Sequence, residues 1–515
     1  MPAEADRLYT VETETCPMCS VLSYRCLRCF HVCLRHCLTH QRLLHLSLSL
    51  SASLLFQIDL SQRGLHGADA RLVKFALLQN SRLSCLRLGY NHLCDEGTKT
   101  LAAGLVAHKA LTSLDLGFNS IGDEGCTALA DALAGSCLET LYLAGNHIGE
   151  DGAIGLADAI RKGCALQKLH MTGNRLGPEG VRAITEAIVE IENQEDDNND
   201  NGNDNGNGNG NNTVQMQQRL PQNGNTRGRS YCCTTGISEL FLGGTSMGPG
   251  GARSVARMLK MSHTLNVISL AGCSLGDEEI AVLAASLKAN RDRLPLESLQ
   301  LSFNQMTCKG LDSLTNAIWG SRTLRELLLD NNQIGDRGGQ QVANILPHLK
   351  TLEIVDVGFN QIKAHGMKAL MKVVRTTEHL VSLSVSGNPI DTGAAKAVAY
   401  ALAYNRSLRS LFLDNCLIEH EGQRHIVAGF VSNSGIALRK LTGFQIGREY
   451  YPQNLPSSDD DDDTPTTTVG VLMQRMQMSQ HTHHPWTNAQ VPEFVAAVNA
   501  WWWPRFVQTH VKNFC

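Results

Sequence analysis

The chain has 515 residues, a formal net charge of −4 and 43% hydrophobic residues. That balance gives no global attraction for nucleic acid or an anionic membrane, and no stretch reaches the ~18–20 apolar residues of a membrane span. Its 17 cysteines are odd in number and unevenly placed, unlike a secreted disulfide framework, which predicts a reduced intracellular setting, cytoplasmic or alternatively nuclear.

Residues 1–54 hold a Cys-rich leader. Cys16-Pro-Met-Cys19 and Cys26-Leu-Arg-Cys29 are followed by His31, Cys33, His36, Cys37 and His40. Thiolates three residues apart can reach one tetrahedral ion, so Cys16, Cys19, Cys26 and Cys29 are candidate zinc ligands, and zinc is the one candidate cofactor. The pairs stand closer together than in zinc ribbons, so a leader without metal is the competing reading. Leu43 to Phe56 is apolar but broken by serines, and lies too far from the start for an ordinary signal peptide.

From Leu55 one pattern recurs: Leu-x-x-Leu-x-Leu-x-x-Asn-x-Ile/Leu, then a short helical stretch. Copies begin at Leu55, Leu83, Leu111, Leu138, Leu166, Ile237, Leu265, Leu296, Leu324, Leu352, Leu380 and Leu408, most of them 28 residues apart. The Leu-rich part holds a short strand whose alternate residues share a face. The Asn (Asn91, Asn119, Asn146 and their equivalents) can bond turn backbone that strand pairing leaves over. Thr245, Cys273 and Cys416 replace it, and Arg63 stands there in the first copy. Gly-Asp-Glu-Gly then supplies a turn and acidic residues for a helix N-terminus. Apolar residues follow the second Gly at +4 and +8, as in Gly125, Leu129 and Leu133, on one helical face.

At ~2 kcal/mol per buried Leu or Ile, one unit cannot offset the ordering of its own chain, so units must stack. The expected fold is an α/β solenoid, a horseshoe with parallel strands on the concave face and α-helices on the convex face. Copies 1–5 fill 55–190; copies 6–12 and a degenerate cap at Leu438–Leu441 fill 237–446. The Asn/Asp/Gly-rich insertion at 191–231 cannot bury a core and is expected to be a disordered loop, with a docking arm as the alternative. An acidic, Thr-rich linker with Asp459–Asp463 spans 447–484. A Trp-rich tail at 485–515 could pack back on the last repeats, offer an aromatic anchor to a partner, or bind at a membrane interface.

The period, the Asn ladder and the Gly-Asp-Glu-Gly helix start resemble the ribonuclease-inhibitor-like type of leucine-rich repeat, over roughly residues 55–446. That resemblance implies a protein-binding scaffold or sensor. It is also similar to Ran GTPase-activating proteins, which combine such repeats with an acidic C-terminal region. A GTPase activator is therefore an alternative, with Arg87 and Asn91 as its candidates. A zinc-dependent adaptor in ubiquitin-type signalling is the second alternative.

No phosphate-binding loop, nucleophile elbow, H-E-x-x-H or kinase signature is present, so a non-enzymatic role is expected. The concave face is the candidate site. Residues after the second Leu of each copy point inward, among them Arg87, Asp115, Tyr142, His170, Phe241, Asp356 and Phe412. Tyr90, Phe118, Phe303 and Phe359 stand just before the Asn. Aromatics beside charges have the composition of protein-binding hot spots, and the mid-strand Tyr142, Phe241 and Phe412 are the first choices. An aromatic before the Asn is expected more often to pack on the adjoining repeat. The expected partner is a protein; the sequence leaves the oligomeric state open.

Overall fold

The computed structural model describes residues 56–200 and 236–443, apart from 434 and 436. The candidate zinc ligands Cys16, Cys19, Cys26 and Cys29, the acidic linker and the Trp-rich tail lie outside the described residues.

Among the described residues, thirteen short strands pair in chain order in one parallel sheet. They are β1 Gln57–Asp59, β2 Cys85–Arg87, β3 Ser113–Asp115, β4 Thr140–Tyr142, β5 Lys168–His170, β6 Glu239–Phe241, β7 Val267–Ser269, β8 Ser298–Gln300, β9 Glu326–Leu328, β10 Ile354–Asp356, β11 Ser382–Ser384, β12 Ser410–Phe412 and β13 Lys440–Thr442. One α-helix follows each of the first twelve. These are α1 Ala70–Gln79, α2 Cys94–Leu105, α3 Asp123–Leu133, α4 Glu150–Arg161, α5 Gly177–Asp200, α6 Gly248–Met261, α7 Asp277–Ala289, α8 Cys308–Ile318, α9 Gly335–Ile345, α10 Ala364–Val374, α11 Thr392–Tyr404 and α12 His420–Ser432.

The register aligns equivalent positions of successive copies: Leu141 of β4 faces Leu114 of β3 and Leu169 of β5. In β2 to β12 this middle residue is buried, whereas Ile58 of β1 and Leu441 of β13 are half-buried. Leu156 and Ile160 of α4 and Leu141 and Leu143 of the same copy are all at most 3% exposed. Packed helices need 8–10 Å each and paired strands only about 4.8 Å, so the strand face becomes the inner side of the arc.

The ladder asparagines satisfy backbone in two copies at once. Asn146 Nδ2 donates to the carbonyls of Leu116 (3.1 Å) and Leu143 (2.9 Å), and its Oδ1 accepts from the amides of Asn119 (2.9 Å) and Ile121 (3.0 Å). Where Cys416 substitutes, its Sγ still reaches the Val385 carbonyl at 3.4 Å.

One expectation is corrected. Helix α5 does not end at 190 but runs to Asp200, into the insertion. Ile191 is buried there, and Glu192, 2% exposed, accepts from Ser262 Oγ (2.8 Å), Thr264 Oγ1 (2.6 Å) and the His263 amide (2.9 Å). Those donors, on the turn before β7, make helix the favourable continuation. The insertion also leaves the sheet undivided, since Lys168, Leu169 and His170 pair directly with Glu239, Leu240 and Phe241.

Candidate functional site

The first and third residues of each strand point away from the helices and line the inner face. The third residues include Arg87, Asp115, Tyr142, His170, Phe241, Asp356 and Phe412, as the sequence predicts. The first residues, not singled out from sequence, include Lys168, Glu239, Ser298, Glu326 and Lys440. Alternation within a three-residue strand already contains that signal.

The structure joins three candidates in one stack. The rings of Tyr142 and His170 lie 4.0 Å apart at 21°, and those of His170 and Phe241 lie 4.0 Å apart at 12°. Parallel pairing in register places three aromatic rings on neighbouring strands at about the strand spacing. Beside them Lys168 and Glu239 form an ion pair at 2.7 Å. Phe412 stands apart from this stack, with Lys440 Nζ 4.8 Å from its ring centre.

The position before the Asn has a backbone property that the sequence reading missed. Its φ is positive in every copy: 59° at Tyr90, 56° at Phe118, 57° at Phe303 and 52° at Phe359, with Gly145, Gly173, Gly244, Gly272 and Gly387 among the others. The glycines alternating with aromatics at this position were the available signal. Side chains there lie along the rim of the inner face. Tyr90 stacks on Phe118 at 4.4 Å and 7°. Phe118 in turn covers Gly145, and Phe359 covers Gly387, where an added Cβ would come within 2.3 Å of the ring in either case.

Exposure reverses the expected order of the aromatics. Phe241 is only 1% exposed, and His170 and Asp356 are likewise buried, so Phe241 is not an exposed anchor. Stacking against His170 removes its ring from solvent. Of the candidate aromatics, Tyr90 at 41% and Phe359 at 38% are exposed, although each also packs along the rim; Tyr142, Phe118, Phe303 and Phe412 are half-buried.

Burial sets the electrostatics. Asp115 is pushed up to about 6, chiefly by desolvation, against the opposing effects of the Gly117 amide, which donates to its Oδ1 at 2.9 Å, and of Arg87. Desolvation lowers His170 to about 3, with Lys168 adding to the shift, so the ring is neutral in the stack. The Tyr142 hydroxyl is raised, mainly by burial.

Toward the C-terminal copies the face turns polar. Ser298 Oγ donates to Glu326 at 2.6 Å, Ser302 to Asp330, and Thr442 Oγ1 to Asp414 at 2.6 Å. Among the described residues, no group of three or more His, Cys, Asp or Glu side chains is placed to hold a metal ion, and no helix is long and apolar enough to cross a membrane.

The fold is a leucine-rich-repeat solenoid. A family model described as Leucine Rich repeat matches residues 108–130, 136–157, 164–184, 320–343 and 348–371. Among curated proteins, none matches the sequence. Among solved structures, the chain is similar to an internalin from Listeria monocytogenes, at 16% identity over 81% of this chain and 94% of that one, with a TM-score of 0.38. It is similar to the Rad7 and Elc1 complex of yeast at 13% identity over 75% and 86%, with a TM-score of 0.43. A third likeness is to the complex of latrophilin 3, Unc5D and FLRT2, at 15% identity over 70% and 90%, with a TM-score of 0.33.

Proposed function

We propose that this chain is a non-enzymatic scaffold of the ribonuclease-inhibitor-like type that takes a protein partner on its strand face. The observation that carries this reading is the aromatic sector of β2 to β6, where the stack of Tyr142, His170 and Phe241 stands beside the rim pair Tyr90 and Phe118. Rings already held by their neighbours lose little side-chain freedom on binding, which is what a hot spot requires. The period of about 28 residues and one α-helix per copy support the repeat type.

The test is affinity capture from native cells with the full chain and with a Tyr90→Ala, Tyr142→Ala, Phe359→Ala variant. These side chains are exposed or half-buried, so the variant should keep its fold by circular dichroism. The expected result is a set of proteins captured by the parent chain and lost by the variant. Undiminished capture of every partner by a folded variant overturns the reading.

A further inference from the structure

We propose a second docking surface, on the edge of the solenoid rather than its strand face, that binds an acidic segment of a partner protein in extended conformation. It lies where the helices of the C-terminal copies turn into the next strands.

Because strands β9, β10, β11 and β12 are in register, residues four positions before each form one row: Arg322, Lys350, Glu378 and Arg406. All four are exposed. Seven positions before β8, β9 and β11 stand Arg291, Trp319 and Arg375. Trp319 is 45% exposed and stacks on His348 at 3.9 Å, while its carbonyl accepts from Arg291 Nη1 at 2.8 Å. The Arg375 guanidinium sits 4.9 Å from the ring centre of Tyr400, itself 52% exposed. Four exposed cations and the half-buried Arg375 thus stand with two exposed aromatics, against the carboxylates of Asp292 and Glu378. The adjacent Arg325 does not add to this charge, since Glu353 pairs with it at 2.6 Å and Glu297 lies at 3.9 Å.

The spacing favours an extended peptide. Edge positions of successive copies stand between the ~4.8 Å of the strands and the 8–10 Å of the helices. Side chains on one side of an extended chain recur every ~6.6–6.8 Å, inside that interval. A peptide with carboxylates two residues apart can meet Arg322 and Lys350, pass Glu378 with an uncharged residue, and lay an apolar residue on Trp319. A nucleic-acid backbone fits less well, because it carries a charge on every unit and must set one against Glu378, where a peptide can place an uncharged residue.

This inference does not depend on binding at the strand face. Its probe is a fluorescein-labelled ten-residue peptide of alternating Glu and Ser, titrated with the full chain and followed by anisotropy. Controls are the Lys-Ser peptide and a ten-nucleotide oligothymidylate. Saturable, salt-sensitive binding of the acidic peptide is expected, weakened about tenfold or more by Arg322→Glu with Lys350→Glu and several-fold by Trp319→Ala. Tyr142→Ala should leave it unchanged. Arg406→Glu alone keeps the test open if the double variant does not fold. The proposal is overturned by absence of saturable binding, by binding indifferent to charge reversal, or by tighter binding of oligothymidylate. It is equally overturned if binding appears only after Asp459–Asp463 are changed to Asn, because the occupant would then be this chain's own acidic run.

Discussion

Asp123 caps a helix in the next repeat rather than its own: its Oδ1 accepts from the Gly152 amide at 2.9 Å, while the start of its own helix α3 is capped by Asp95 of the preceding repeat. The same relation links Asp95 to Gly125 (3.0 Å), Asp277 to Gly310 (2.9 Å) and Asp336 to Gly366 (2.6 Å). A Cβ on Gly152 would stand 2.7 Å from that oxygen, so Asp in one copy and Gly in the next are one device. It couples neighbouring copies at the helix N-termini as the Asn ladder does beside the strands.

Asp123→Ala should therefore loosen the α3–α4 junction. It removes the acceptor for Gly149 (2.6 Å) and Gly152, a loss of about 1–2 kcal/mol. Urea denaturation should show a lower midpoint with an unchanged slope; an unchanged midpoint would show that water replaces the cap without loss.

Asn146→Ala should be more severe, because the buried amides of Asn119 and Ile121 lose their acceptor, while the carbonyls of Leu116 and Leu143 keep the side-chain amides of Asn119 and Asn174. Leaving such groups unsatisfied costs about 1–3 kcal/mol each before relaxation. Asn146→Thr keeps one donor and one acceptor, as Thr245 does in its copy, and should retain more stability by the same measurement.

Gly145→Ala combines a strained φ of 67° with a clash against Phe118. The backbone part costs about 1 kcal/mol. Adding Phe118→Ala should relieve the clash and leave the backbone part, so the two substitutions should be non-additive in a double-mutant cycle. Simple additivity would mean that the ring does not rest on Gly145.

Asp115 makes stability fall as pH rises. Its pKa of about 6 in the folded chain exceeds the ~3.9 of an unfolded Asp, so the folded state holds the proton more tightly between about pH 4 and 6. The charged form costs roughly 3 kcal/mol above that window. Asp115→Asn should raise the melting temperature at pH 8, with the gain vanishing by pH 4. An equal gain at both pH values would assign the effect to packing.

His170 acts in the opposite sense. Its pKa falls to about 3 against ~6.5 unfolded, so the unfolded state takes up the proton first, and stability is lost as pH drops from about 6.5 toward 3. His170→Phe should keep a ring between Tyr142 and Phe241 and flatten melting temperature against pH over that window. An unchanged acid limb would place the sensitive group elsewhere.

Much of the inner face was legible in the sequence, because position within the copy decides which side a residue faces. Arg87, Asp115, Tyr142 and His170 stand where the spacing places them. Their relative exposure was not legible. Phe241 is a third strand residue like Phe412, yet His170 on the adjoining strand covers it. Tyr90 and Phe359 project at the rim because their backbone is left-handed, and φ leaves only an indirect mark in the glycines of equivalent copies.

The sequence by itself determined the repeat, its strand and helix halves, the Asn positions and the stacking of units, since each follows from spacing within a few residues and from apolar surface one unit cannot bury. Only the tertiary structure decided which helix Asp123 caps, that α5 continues to Asp200 onto donors at Ser262 and Thr264, and which rings form the stack. Those outcomes depend on partners 26 to 72 residues away along the chain, brought together by register across the sheet.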